Sequence, residues 1–123
     1  MPDTVRLSID YQTFEIALYD NATTRAMCAA LPQTIAMTRW GGEYYGSFST
    51  RIAVDSDRRS DFQPGEVALW PAGNAFCIFF GPTPVSTGET PRMASPGVAI
   101  GKIAGDIEAL HEMDDDIVAT LSK

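Results

Sequence analysis

Residues 75–80 read Ala-Phe-Cys-Ile-Phe-Phe, an apolar run with no polar break. Side chains alternate between the two faces of a strand, so Phe76, Ile78 and Phe80 share one face and Ala75, Cys77 and Phe79 the other. Both faces are apolar, and the run is far too short to span a bilayer. A strand of this kind has to be covered twice. One face belongs to the interior of a barrel, and the other needs a helix, a loop or a ligand against it. Glu66–Trp70 forms the preceding arm of a hairpin, joined to it through a Pro-Ala-Gly-Asn turn.

The remaining periodicities fit a small β domain built around that hairpin. Val5–Ile9 and Phe14–Leu18 alternate apolar and polar residues, predicting a second hairpin. Asp20 or Asn21 can cap a helix over Ala22–Leu31, with Ala26, Met27, Ala30 and Leu31 on one side and Pro32 ending it. Thr34–Trp40 reads as a strand closed by Gly41-Gly42, and Tyr44–Ile52 as one or two short strands. Residues 53–65 are charged and end in Pro-Gly, a surface loop. Residues 81–97 hold four prolines and three glycines and read as a long structureless connection, a type of segment that is more often functional or mobile. Val98–Ile103 is a strand, and Asp106 caps a short helix that turns Ile107, Leu110 and Met113 inward. Asp114-Asp115-Asp116 marks a turn before a final strand, Ile117–Leu121. The pattern gives one domain over residues 1–123, mainly β, with about eight short strands and two short helices.

Charge and cysteine content narrow the function classes. Sixteen acidic against nine basic residues give a net charge of −7, which disfavours nucleic acid and anionic membranes as partners. The N-terminal stretch lacks the basic and apolar regions of a signal peptide, so a cytoplasmic location is expected. Cys28 and Cys77 fit no metal-ligand spacing and read as buried small apolar groups.

Motifs for phosphate, metal and hydrolytic chemistry fail one by one. Gly101-Lys102 lacks the earlier glycine and the following Ser or Thr of a phosphate loop. Asp55-Ser56-Asp57 opens like a calcium loop, but Arg58 and Arg59 stand where a carboxylate or glycine is needed. Three consecutive aspartates at 114–116 seldom converge on one ion. His111, the single histidine, lies among Glu108 and Glu112 on a surface helix face, and Cys77 is mid-strand in an apolar run where burial leaves it inert. No metal or organic cofactor is expected.

What remains is aromatic. Arg39-Trp40-Gly41-Gly42-Glu43-Tyr44-Tyr45-Gly46 places a guanidinium, large rings and flexible backbone together. With Trp70, Phe79 and Met93, the residues Arg39, Trp40, Glu43 and Tyr44 define a candidate aromatic-lined groove beside the 81–97 segment.

The strand, turn and helix of Val98–Leu110 resemble the C-terminal part of cyclophilins, and Trp40-Gly41-Gly42-Glu43-Tyr44 resembles their Gly-Gly-acid-aromatic segment. Gly65–Pro71 together with Cys77–Pro84 resembles, more closely, a family of small prokaryotic cyclophilin-like domains of unassigned function. The resemblance implies a closed eight-stranded barrel with a helix over each open end. Cyclophilin isomerases use an arginine on the prolyl amide beside an apolar pocket. Here Ala30-Leu31-Pro32-Gln33 and Arg92–Gly97 lack the arginine, tryptophan and histidine expected at those places. The expected function is a binding module for a small ligand or extended peptide. The alternatives are a divergent prolyl isomerase using Arg39 and a protein-interaction or homo-oligomer interface.

Overall fold

The computed structural model describes residues 3–123. Its strands are β1 (Thr4–Ile9), β2 (Gln12–Leu18), β3 (Gln33–Trp40), β4 (Glu43–Ser47) and β5 (Arg59–Asp61). They continue with β6 (Glu66–Trp70), β7 (Ala75–Phe79), β8 (Arg92–Ala104) and β9 (Asp116–Ser122). The helix α1 (Ala22–Ala29) follows β2, and short 3-10 segments lie at Pro71–Gly73 and Glu108–Glu112.

Eight of the strands form a ring in the order β2-β1-β9-β3-β4-β7-β6-β8, and β2 closes it by pairing with β8. The closure runs Glu15–Leu18 against Gly101–Ala104, so neither end of the order is left as an open edge. Leu7, Ile16, Ile35, Tyr44, Leu69 and Phe76 are among the residues filling the interior. Met27 and Cys28 of α1 and Leu110 of the second 3-10 segment join the same core.

Several elements differ from the sequence expectation, each for a local reason. The helix ends at Ala29, and its buried face is Thr23, Thr24, Met27 and Cys28, with Ala26, Ala30 and Leu31 only partly covered. Two threonines can face the sheet because their hydroxyls are satisfied there. Thr24 Oγ1 donates to Asn21 Oδ1 at 2.9 Å, and Thr23 Oγ1 accepts from the Asp55 N–H at 2.7 Å. Asn21 is the cap, accepting from the Thr24 N–H at 2.8 Å and donating from Nδ2 to the Ala99 carbonyl at 2.9 Å. The expected second helix is a 3-10 turn of five residues, opened by the Glu108 N–H donating to Asp106 Oδ1 at 2.8 Å. The Tyr44–Ile52 segment yields one strand, which stops at Ser47.

The larger corrections concern the two loops. The 53–65 segment contains β5, and β8 begins at Arg92, inside the stretch expected to be structureless. β8 is therefore long enough to serve twice. Val98–Lys102 pairs with β6 in the ring, while Arg92 and Gly97 pair with Asp61 and Arg59 of β5. A register shift between Val67 and Ala68 on β6 accompanies this change of partner.

The Gly41-Gly42 turn fixes the exit from β7. The Gly42 N–H donates to the Pro82 carbonyl at 2.8 Å, and the Phe80 and Gly81 N–H groups donate back to Gly42 O at 2.8 and 3.1 Å. A Cβ at Gly42 would lie 2.2 Å from the Gly81 carbonyl carbon, backbone that cannot swing aside. Gly42→Ala is therefore expected to lower unfolding stability by about 3 kcal/mol in urea titrations, the upper part of the usual overpacking cost.

Candidate functional site

Strand register sorts the candidate residues onto two sides of the ring. Tyr44 lies opposite Arg39 on β3 and Ile78 on β7, and directly opposed residues of an antiparallel pair share a face. Tyr44 and Ile78 are interior, so Arg39 belongs to the interior row as well. Glu43 lies opposite Trp40 and Phe79, which places Trp40, Glu43 and Phe79 in one row across the outer face. The next outer row holds Thr38, Tyr45, Cys77, Ala68 and Ala99. Trp70 lies opposite Ala75 on this same side.

Of the expected groove residues, the structure puts Trp40, Glu43, Trp70, Phe79 and Met93 on the outer face, with Trp40 and Glu43 in the row of Phe79, and Met93 and Trp70 packed in or against the cluster around Cys77. It does not bring in Arg39 and Tyr44. Arg39 sits over the Phe80 ring at 5.0 Å, with Nε donating to Gly41 O at 3.0 Å and Nη1 to His111 O at 3.1 Å. Tyr44 is wholly buried and donates its hydroxyl to the Asp114 carbonyl at 2.6 Å. His111 is exposed, as expected, yet its ring meets Phe80 edge-on at 4.9 Å.

The outer face carries its own small core. Phe62, Ala68, Ala75, Cys77, Phe79 and Met93 form a second buried cluster, with Trp70 and Ala99 packed at its margin. Phe62 stacks on Phe79 with centroids 4.6 Å apart and planes within 6°. Phe62 was not among the sequence candidates. It follows directly on β5 in a charged stretch, and nothing local marks it as a cover for Phe79. Trp70 Nε1 donates to Ser95 Oγ at 2.7 Å, and Met93 is buried beneath the β5–β8 arm.

Glu43 is the chemically unusual member. It is 3% exposed, and its Oε1 is the one buried side-chain nitrogen or oxygen among the described residues without a hydrogen-bond partner. Burial pushes its carboxyl up to about 7, with the Cys77 thiol beside it pulling slightly the other way. The thiol itself is driven well above its ordinary value, first by burial and then by Glu43, so Cys77 is no nucleophile.

The other buried glutamate is fully partnered. Glu66 accepts from both Nη atoms of Arg59, from the Gln63 N–H at 2.7 Å and from the Tyr19 hydroxyl at 2.9 Å. Burial raises its pKa, but these donors outweigh that and leave it below the ordinary carboxylate value. This cluster pins the 59–66 segment beside an open cleft of about 370 Å³ lined by Tyr19, Asn21, residues 56–59, Val98 and Ala99. Its carboxylate has no unmet bonding capacity to offer. No group of three or more His, Cys, Asp or Glu among the described residues is placed to hold a metal ion.

A family model described as cyclophilin-like matches residues 3–121. The chain belongs to the cyclophilin-like family. The solution structure of the hypothetical protein AF2241 from Archaeoglobus fulgidus is similar to it, with a TM-score of 0.81 and 30% sequence identity. That similarity covers 97% of this chain and 92% of that one. No curated protein matches this cyclophilin-like chain. No helix among its described residues is long and apolar enough to cross a membrane.

The elevated Glu43 pKa has a definite consequence for stability. A carboxyl raised above its unfolded value leaves the fold most stable below that ordinary value, and stability is lost as pH climbs from there to about 7. Glu43→Gln removes the penalty, so it is expected to equal wild type near the ordinary carboxylate pKa. At neutral pH and above it should exceed wild type by on the order of 3 kcal/mol. Urea midpoints of both proteins across that range test the difference, and parallel curves would show that Glu43 does not titrate in this window.

Proposed function

We propose that this cyclophilin-like domain, its ring read as a closed barrel of the cyclophilin type, is a binding module. Its ligand, a small molecule or an extended peptide, lies on the outer face around Glu43. The observation carrying this reading is the unpartnered Glu43 Oε1, a buried acceptor with no donor, in a row with Trp40 and Phe79. Leaving such a group unpaired costs on the order of 1–3 kcal/mol, which a bound donor would recover. Half-buried Trp40 in this row and partly exposed Tyr45 in the next carry the outer face to the surface. The segment leading into β8 is held in part by polar contacts. Thr83 Oγ1 donates to the Arg92 carbonyl, Thr83 N–H to Ser86 Oγ at 2.9 Å, and Ser86 Oγ to the Thr90 carbonyl at 2.8 Å.

Prolyl isomerisation through Arg39 draws less support, because two of its N–H groups are spent on backbone carbonyls and the side chain belongs to the interior row. A protease-coupled assay on an X-Pro peptide is expected to give the uncatalysed rate for both wild type and Arg39→Ala. A rate above background that falls in the variant would reinstate catalysis.

The two tryptophans of the chain, Trp40 and Trp70, both lie on the outer face and report on its occupancy. A ligand bound there is expected to shift tryptophan emission and raise Tm. Trp40→Phe should lose most of the fluorescence change while Arg39→Ala keeps it. Screening of metabolites and extended peptides with no response in either signal would overturn the binding reading. Light scattering of the same samples shows whether the exposed rings instead hold a second copy.

A further inference from the structure

Glu43 narrows what that ligand can be. Its Oε1 accepts no hydrogen bond, and no lysine or arginine among the described residues forms an ion pair with it. On β3 the residue directly opposite is Trp40, and on β7 it is Phe79. Tyr45 follows on the same outer face, 37% exposed, with Cys77 across from it. A carboxyl in an aromatic setting is matched by a group that donates N–H, carries positive charge and sits well against π-faces. An ammonium does all three. A neutral hydroxyl supplies the hydrogen bond but leaves an ionised Glu43 uncompensated in an apolar setting.

Resting on the outer-face binding reading, we propose that the group bound beside Glu43 is a primary ammonium carried on an apolar stem. Free alkyl or aryl amines and the lysine side chain of an extended peptide share this chemistry. The net charge of −7 favours cations around the protein and disfavours anionic competitors. The stem lies along Trp40 and Tyr45, and the nitrogen takes the position facing Oε1.

Binding of this kind is coupled to the Glu43 proton. With its carboxyl displaced to about 7, Glu43 is largely protonated in mildly acidic solution. The ammonium requires the carboxylate, so binding below that pH expels a proton from Glu43, and binding well above it expels none. A ligand held only by apolar contact produces no such proton release.

Isothermal titration calorimetry of the intact protein tests the proposal with four probes. They are 2-phenylethylammonium chloride, its neutral counterpart 2-phenylethanol, acetyl-Ala-Lys-Ala-amide and the same peptide with norleucine for lysine. Each is titrated at about pH 6 and about pH 8.5, in buffers of differing ionisation enthalpy, conditions under which the amines stay charged. At least one ammonium probe is expected to bind about tenfold or more tighter than its neutral partner, with most of one proton released at the lower pH and almost none at the higher. Glu43→Gln, nearly isosteric and expected to fold at least as well, should lose both the charge preference and the proton release. Which ammonium binds identifies the source as a free amine or a lysine side chain. Equal binding of charged and neutral probes overturns the ammonium proposal and leaves the groove reading standing. An ammonium preference that survives in Glu43→Gln also overturns it. Silence from all four probes overturns the ammonium proposal alone. If the metabolite and peptide screen is silent as well, the outer-face reading falls with it.

Discussion

Strand β7 has no polar face, and the rest of the molecule is arranged around covering it. Phe76 and Ile78 point into the ring, which must therefore close and fill. Cys77 and Phe79 point outward into the second buried cluster. The cover is improvised from β5 and the first half of β8, which leaves its ring partner and curls across the outside with Phe62 and Met93 beneath it. Burying two or three large apolar side chains in this way is worth several kcal/mol by area.

One buried side-chain oxygen among the described residues, Glu43 Oε1, is left without a hydrogen-bond partner. Glu43 occupies an outward position on β4 between Trp40 and Phe79 and is buried there, which strips water from its carboxyl. Glu66 meets the same burial with an arginine, a tyrosine and a backbone N–H, and stays ionised. The contrast is informative because both residues lie on the same small domain. The chain satisfies one buried glutamate completely and leaves Oε1 of the other without a partner, at a cost in stability.

Membership of the cyclophilin-like family goes with the mainly β ring and leaves the chemistry open. Function resides in the side chains that a fold presents. Here Arg39, just before the WGGEY segment, is drawn to the ring end by Phe80 and the His111 carbonyl, while the outer face presents a carboxyl and aromatic rings. These are groups suited to holding a donor, and none is a nucleophile or a paired acid and base.

Local sequence was enough for the elements whose signal is a period. The β1–β2 and β6–β7 hairpins, most of β3, the Asn21 cap and the all-apolar β7 are read from alternation, turns and capping, because each depends on neighbours a few positions away. The need for something to cover Phe79 was legible for the same reason. What covers it was not. β5 and the early start of β8 are polar or proline-bearing segments that become strands only by pairing with each other, a contact between residues some thirty positions apart. The face on which each side chain falls was equally hidden. Arg39 and Trp40 are adjacent, yet only the register of β3 against β4 sends one to the ring interior and the other to the outer row beside Glu43. Composition and period determined that this chain builds a two-sided apolar strand into a β ring. Tertiary pairing decided which glutamate was left without a partner, because desolvation and hydrogen bonding depend on what arrives from elsewhere in the chain.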